Sequence, residues 1–203
     1  MQNLQKTGTV FLKQLINLSV FVIAGMILFH PAGLKAESAG SHAPAKTGIG
    51  LSTGYTYDPS DDIGFAQLSV VRLYDYDAVW PHRAPENLRF KIEGAAGASK
   101  VDGEAKLIAN AGILALLYLD WFNSERFRPY VEAGVGVIYT DYRVSGQDYR
   151  FNFNPQAGIG VEFARQGKPS RFCSLRAHHI SNGGIGSSNR GQNSIVLTLG
   201  QYF

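Results

Sequence analysis

The sequence predicts an all-β fold, an eight-stranded antiparallel transmembrane β-barrel, from three observations. Eight stretches of roughly ten residues alternate between apolar side chains and small or polar ones, which is the period of a strand with two different faces. After an N-terminal apolar segment, no window is apolar enough for a membrane helix. Aromatic side chains collect at the two ends of the stretches, as they do at the two surfaces of a bilayer.

Each alternating stretch is a predicted strand with one aliphatic face. In chain order the strands are residues 47–57, 63–74, 87–98, 105–118, 127–139, 150–163, 171–181 and 193–203. The aliphatic faces contain, in the same order, Ile49, Leu68, Ile92, Leu107, Val135, Ile159, Leu175 and Leu197. The opposite faces of the first seven contain Ser52, Gln67, Lys91, Asn110, Glu132, Gln156 and Arg176. The fourth stretch is nearly all apolar, but its period of two favours a strand over a helix.

Periodicity alone does not say which face is inside, because a soluble sandwich or a lipocalin-like barrel would bury the aliphatic face. If the N-terminus is taken to lie in the periplasm, the placement of aromatic residues favours the membrane barrel. One group falls near the periplasmic ends: Tyr74, Trp80, Tyr118, Trp121, Phe122, Phe127, Tyr130, Phe163, Phe172, Tyr202 and Phe203. A second group falls near the outer ends: Tyr55, Tyr57, Phe65, Tyr139, Tyr142, Tyr149, Phe151 and Phe153. The sequence therefore predicts a multi-pass protein of a Gram-negative outer membrane.

Residues 1–36 have the pattern of a cleaved secretory signal peptide. Two lysines precede an apolar run, Leu15 to Phe29, which ends near a small-residue cleavage site before Glu37. At about 15 residues the run is short for a spanning helix, which needs about 20. Residues 37–46 are small and polar, and we expect them to be mobile. Residues 47–203 then form the barrel domain.

The signal segment accounts for the basic character of the whole chain. The chain has 19 basic and 16 acidic residues, and three of the lysines but none of the acids lie in residues 1–36. The remainder carries no formal net charge, which gives no case for nucleic-acid binding. The single cysteine, Cys173, excludes an intrachain disulfide, and its apolar face indicates a small hydrophobic residue rather than a nucleophile.

The candidate chemistry lies near the end of the seventh predicted strand. His179 and Ser181 are two residues apart, so they share the lipid-facing side with Leu175. The topology puts them at the extracellular rim, at the depth of the lipopolysaccharide leaflet. Polar groups aimed at lipid tend to be functional, and esters in that lipid suit a serine nucleophile with a histidine base. The alternative is a pair of ordinary interfacial residues, since a lone His-x-Ser pattern is common by chance.

His178 has the opposite parity and is predicted to face the lumen. There we expect it to join an interior polar network with Glu93, Glu132 and Glu162. Neighbouring strand residues point to opposite faces, so metal ligation by the His178-His179 pair is disfavoured. The sequence predicts neither a metal nor another cofactor.

The C-terminal third resembles a known family. His179-Ile180-Ser181-Asn182-Gly183-Gly184, then Asn189-Arg190-Gly191 and a final strand, resemble the HxSNxG…NxG segment of the lipid A 3-O-deacylases, the PagL family. Residues 128–137 and 153–163 resemble that family's fifth and sixth strands. The resemblance is loose over most of the barrel and more specific over the last third. It implies an outer-membrane barrel that hydrolyses the ester-linked 3-hydroxyacyl chain at position 3 of lipid A without a metal.

The resemblance also implies roles for single residues. Ser181 would be the nucleophile and His179 the general base, while the Asn182 side chain and the Gly184 N–H would resemble the oxyanion hole. Asn189 is a motif position and, with Arg190, a candidate substrate contact; it shapes the loop or is simply a turn former. Where the family has a glutamate that orients the histidine, this sequence has Asn193. Two interpretations stay open: a working Ser-His-Asn triad, or a slower or differently supported enzyme.

The implied partner is lipopolysaccharide in the outer leaflet, and a homodimer is compatible with the sequence. Arg143, Arg150 and Arg190 near the rim are candidates for lipid A phosphates. Rim carboxylates such as Asp141 and Asp148 are interpreted as solvated loop charge. The main alternative function is a non-catalytic structural or adhesive barrel. A transport barrel is disfavoured because side chains fill an eight-stranded interior, and an acyltransferase would transfer the chain rather than release it.

Overall fold

The computed structural model describes residues 45–59, 62–80, 84–165 and 168–203, which form a closed antiparallel β-barrel. The predicted signal peptide and most of the predicted mobile segment lie outside these described residues. The first strand begins at Lys46, one residue before the predicted start of the barrel. Within the described ranges, no helix has both the length and the apolar character needed to cross a membrane.

The strands follow the alternating stretches closely. They are β1 (Lys46–Asp58), β2 (Gly64–Asp75), β3 (Leu88–Val101), β4 (Glu104–Tyr118), β5 (Phe127–Thr140), β6 (Phe151–Phe153), β7 (Gln156–Arg165), β8 (Lys168–Ile180) and β9 (Gln192–Tyr202). Single turns of 3-10 helix, Tyr76–Ala78 and Asp120–Phe122, lie in the β2–β3 and β4–β5 connections. The apolar β4 is a strand, as its period of two predicts.

β6 and β7 are two parts of one barrel strand. Both pair with β5, with Phe153 opposite Val137 and Gln156 opposite Gly134. The interruption falls at Pro155, which has no N–H to donate to the sheet. The remaining strands pair in chain order, and β1 pairs with β9 to close the barrel. The predicted eight-stranded antiparallel barrel is therefore confirmed.

Burial has the reverse distribution to that of a soluble protein. On the outer wall Leu68 is 71% exposed and Ile159 is 63% exposed. Inside, Lys91, Glu132 and Arg176 are almost completely buried. Aliphatic side chains left outside while charged ones fill the interior are favourable only where the outer wall contacts lipid. The predicted assignment of the two faces is confirmed.

The aromatic belts contain fewer residues than the sequence predicts. Exposed aromatics do occur at both ends, such as Trp121 and Phe122 at one and Phe151 at the other. Six residues assigned to the belts are instead buried in the barrel: Phe65, Tyr118, Tyr130, Tyr142, Phe172 and Tyr202. Four of them form two ring pairs, Tyr118 with Tyr130 and Phe172 with Tyr202, whose centroids are 5.6 and 4.7 Å apart. These two ring pairs fill the barrel interior at the predicted periplasmic end.

The interior polar network is centred on Arg176. Its guanidinium donates to Glu93 at 2.8 and 3.0 Å and to Glu132 at 2.6 Å, and Lys91 donates to Glu132 at 2.6 Å. Buried charges require this kind of pairing. The prediction that His178 bonds to these carboxylates is wrong, because His178 Nε2 is buried with no hydrogen-bond partner among the described residues. Glu162 belongs to a separate group with Lys46, Tyr118 and Ser170.

Candidate active site

The candidate site lies at one rim of the barrel, where β1 and β8 end and β9 begins; we call it the site rim. His179 lies opposite Asn193 in the β8–β9 ladder, and Asn193 lies opposite Asp58 in the β9–β1 ladder. Facing residues of antiparallel strands have Cβ atoms about 5 Å apart. The sheet therefore brings three polar side chains into one row, with Asp58 coming from the far end of the barrel sequence.

A hydrogen bond orients the imidazole of His179. Its Nδ1 lies 2.7 Å from Oδ1 of Asn193, a side chain that is only 2% exposed. An amide oxygen only accepts hydrogen bonds, so Nδ1 must carry the proton and donate it. The neutral ring then has an unprotonated Nε2 with a free lone pair. This is the tautomer that a general base at Nε2 requires.

Ser181 continues the same face one step beyond the end of β8. Its backbone is held by Phe153 of β6: the Ser181 N–H donates to the Phe153 carbonyl at 3.1 Å, and the Phe153 N–H returns a bond at 2.8 Å. Within the described residues, no hydrogen bond joins Ser181 Oγ to the imidazole. Such contacts between nucleophile and base often form only once substrate is bound. The strand geometry keeps both side chains on the outer wall.

The loop after Ser181, residues 182–191, is closed by the Asn182 side chain. Asn182 is 2% exposed, its Oδ1 accepts from the Gly184 N–H at 2.9 Å, and its Nδ2 donates to the Ser188 carbonyl at 2.9 Å. Gly184 has a positive φ of 81°, a conformation that favours glycine. The two predicted oxyanion donors are thus engaged with each other and with the loop. The second Nδ2 hydrogen of Asn182 has no acceptor in the described ranges.

Asn189 and Gly191 shape the rest of this loop. The Asn189 side chain accepts from the Asn182 N–H at 2.8 Å, which supports a loop-shaping role rather than a substrate contact. Gly191 packs against the His179 ring so closely that a Cβ there would lie 2.3 Å from Cε1 and 2.9 Å from Nε2. Any residue other than glycine at position 191 would overlap the His179 imidazole. Sequence reasoning did not find this contact, although the glycine is part of the quoted motif.

A second rim loop, residues 141–150, holds the 182–191 loop in place. Asp148 accepts from the Ser188 N–H at 2.7 Å and from the Ser187 hydroxyl at 3.1 Å. The Ser188 N–H lowers the pKa of the Asp148 carboxyl, because it stabilises the charged form. Asp148 is a partly exposed loop charge, as the sequence indicates, and in addition it holds the 182–191 loop. Asp148 and Ser188 are 40 positions apart in the sequence, so no local pattern predicts this contact.

The three rim arginines are held by contacts at the same rim, two of them within the 141–150 loop itself. Arg150 pairs with Asp141 at 2.7 Å, Arg143 donates to the Asp148 carbonyl at 3.1 Å, and Arg190 lies 3.8 Å from Asp58. Two of them keep much of their surface free, since the side chains of Arg150 and Arg190 are 52% and 47% exposed. They can still meet an anion above the rim.

An apolar groove of about 390 Å³ runs along the outer wall beside the loop. Its walls include Val137, Phe151, Phe153 and Ile185, and it reaches Asn182. A larger groove of about 800 Å³ lies on the outer wall of β9, β1, β2 and β3, and none of its lining residues belongs to the site. In the part of the chain that the structure describes, no cluster of three or more His, Cys, Asp or Glu side chains is suited to a metal ion.

The fold and the site together define a membrane β-barrel that carries a histidine and a serine side by side on its lipid-facing wall. Known proteins with these features were compared with the chain. The family model described as lipid A 3-O-deacylase (PagL) matches residues 70–201. The lipid A deacylase PagL of Pseudomonas aeruginosa is 27% identical over 191 residues, which cover 92% of this chain and 96% of that protein.

Solved structures support the fold. The crystal structure of the outer membrane enzyme PagL matches with a TM-score of 0.54 and 23% identity, covering 75% of this chain and 97% of that one. Neisserial surface protein A matches with a TM-score of 0.58 and 13% identity, covering 80% of this chain and 97% of that one. At these identities the likeness concerns the barrel alone.

The chain belongs to the lipid A 3-O-deacylase (PagL) family, because the family model matches well over half of it. It is therefore an ester hydrolase of the outer membrane of a Gram-negative bacterium. The expected family, enzyme class and location are confirmed. The alternative of a non-catalytic structural or adhesive barrel is set aside.

Proposed function

We propose that this enzyme hydrolyses the ester-linked 3-hydroxyacyl chain at position 3 of lipid A, with Ser181 as nucleophile and His179 as general base. The observation that carries the proposal is the 2.7 Å hydrogen bond from His179 to Asn193 on the lipid-facing wall. It fixes the basic nitrogen as Nε2, on the ring edge away from Asn193. Ser181 is the next residue on that face of β8.

The proposed reaction has two halves. Nε2 takes the hydroxyl proton of Ser181 as Oγ attacks the ester carbonyl, and the imidazolium then protonates the departing sugar oxygen. Water, deprotonated by the same nitrogen, hydrolyses the acyl-serine and releases a 3-hydroxy fatty acid. Asn193 holds the ring in the required tautomer throughout. An amide stabilises the imidazolium less than a carboxylate would.

Asn182 and Gly184 are the proposed donors to the charge that develops on the ester oxygen. The Gly184 N–H now donates to Asn182 Oδ1, so the ester oxygen would have to replace that acceptor. The remaining Nδ2 hydrogen of Asn182 is the second donor. Both groups belong to the loop that follows the nucleophile.

The substrate is proposed to lie flat against the outer wall. The groove along Phe151, Phe153 and Ile185 has the apolar lining that an acyl chain needs. Above it, Arg150 and Arg190 are exposed cations at the height expected for lipid A phosphates. This arrangement requires the site rim to face the outer leaflet. A homodimer stays a prediction.

The experiment is mass spectrometry of lipid A from cells that express the wild type, Ser181→Ala and Asn193→Ala at equal outer-membrane levels. We expect the wild type to remove one 3-hydroxyacyl group and to release the free 3-hydroxy fatty acid, which an acyltransferase would not. Ser181→Ala should abolish both products. Ser145→Ala is the matched control, because Ser145 is an exposed serine of the neighbouring rim loop. Full activity of Ser181→Ala would refute the proposal.

A further inference from the structure

We infer that Asp58 is a positioning residue of this enzyme, which orients the Asn193 amide so that its oxygen, and not its nitrogen, faces His179. The inference rests on the proposed roles of His179 and Ser181. Asp58 Oδ2 accepts a hydrogen bond from Asn193 Nδ2 at 3.0 Å, while Asn193 Oδ1 accepts from His179 Nδ1 at 2.7 Å. The amide thus bridges the carboxylate and the imidazole.

A β-bulge makes this contact possible. Outward residues of β1 have odd numbers up to Tyr57, so an unbroken strand would turn Asp58 toward the lumen. The β1–β9 register instead shifts after Thr56, and Asp58 rather than Tyr57 lies opposite Asn193. A bulge of this kind re-aims a side chain at the edge of a sheet and is common beside active sites. The backbone pairing of β1, β9 and β8 therefore places Asp58, Asn193 and His179 in one row.

Asp58 removes an ambiguity that an amide has and a carboxylate lacks. The oxygen and nitrogen of a carboxamide occupy nearly equivalent positions, and a flip exchanges acceptor and donor. If Nδ2 faced His179, the ring would have to accept at Nδ1 and carry its proton on Nε2, where a base cannot use it. A carboxylate only accepts hydrogen bonds, so Asp58 holds Nδ2 on its own side.

The carboxylate is itself held in place. Arg190 lies 3.8 Å from the other oxygen, Oδ1, which leaves Oδ2 for the Asn193 amide. The Asp58 side chain is 55% exposed, so its charge is screened and its main effect is on orientation. This pairing explains how an asparagine can orient the histidine at a position where the family resemblance implies a glutamate. The acidic group is present, one amide further from the imidazole.

The test compares kcat and KM of Asp58→Asn with those of the wild type in purified, folded protein, using lipopolysaccharide in detergent micelles. We expect kcat to fall about 10- to 100-fold, the range known for outer partners of metal-bound histidines, with KM within about twofold. Asp62→Asn is the matched control: it removes the same charge four residues further on, in the β1–β2 connection, where Asp62 contacts Tyr55 instead of the site. Heat-modifiable migration on gels verifies folding.

The Asn193→Asp background separates orientation from general damage. In that background residue 193 is itself a carboxylate, so both of its side-chain oxygens can only accept from His179. Asp58 is then a second carboxylate that faces the first. Asp58→Asn should therefore raise kcat in that background, although it lowers kcat in the wild type. Unchanged kcat for Asp58→Asn, or a loss in both backgrounds, would overturn the inference. Activity that survives Ser181→Ala would instead defeat the proposed function, and the inference with it.

Discussion

The contact of Gly191 with the His179 ring leads to a quantitative prediction. A methyl group at this position would begin 2.3 Å from His179 Cε1, whereas ordinary contact begins at 3.4 Å. The imidazole in Gly191→Ala must therefore move by about 1 Å. The ring is the end of a side chain on the outer wall, so the movement costs the fold little. It cannot occur, however, without disturbing the 2.7 Å hydrogen bond to Asn193.

A displacement of about 1 Å in a reacting group typically costs about 100-fold in rate. We therefore expect kcat of Gly191→Ala to fall by about that factor, while the urea midpoint of unfolding stays near the wild-type value. Release of 3-hydroxy fatty acid from lipopolysaccharide micelles measures the first, and tryptophan fluorescence measures the second. Gly94→Ala is the control, because a Cβ at Gly94 meets nothing within 4 Å. Equal rates for both alanine variants would refute the reasoning.

Three more predictions concern the supports of the site. The pKa of the Asp148 carboxyl is lowered by its contact with Ser188. The hydrogen bonds from Asp148 to the 182–191 loop should therefore be fully present above the ordinary carboxyl pKa and be lost as the pH falls through the lowered pKa. Hydrogen exchange in that loop should accelerate at acid pH in the wild type and at every pH in Asp148→Ala. Arg176→Ala leaves buried carboxylates unpaired and should lower the free energy of unfolding by about 3–5 kcal/mol in urea titrations, whereas a loss below 1 kcal/mol would contradict the role of the network. Val137→Trp should obstruct the apolar groove and raise KM for long acyl chains more than for short ones; equal changes would argue against an acyl site there.

The barrel and the exposed face of the site follow from local sequence pattern. A period of two is a property of single strands, so the outward side of Leu175 and the inward side of Arg176 can be assigned without knowing any partner. The same parity places His179 on the lipid side. The position of Tyr118 and Phe172 near strand ends predicts a place in the aromatic belts, but their parity puts both side chains inside the barrel, where the structure has them.

The supports of the site depend on pairings between distant strands. Asp58 ends β1, and only the bulge and the register with β9 bring it to Asn193. Asp148 reaches Ser188 across two loops, and no periodic pattern describes loops. His178 shows the converse limit: its inward direction can be predicted, but Glu93 and Glu132 are already bonded to Arg176, and His178 Nε2 has no hydrogen-bond partner in the portion of the chain described by the structure.

The row from Asp58 to His179 crosses the seam at which the barrel closes. β1 is the first barrel strand to leave the ribosome and β9 is the last, and they meet only when the cylinder is complete. A chain whose barrel is still open can pair β8 with β9, and so His179 with Asn193, but it lacks the contact of Asp58 with Asn193 across the seam. The complete row of three side chains therefore exists only in the closed barrel.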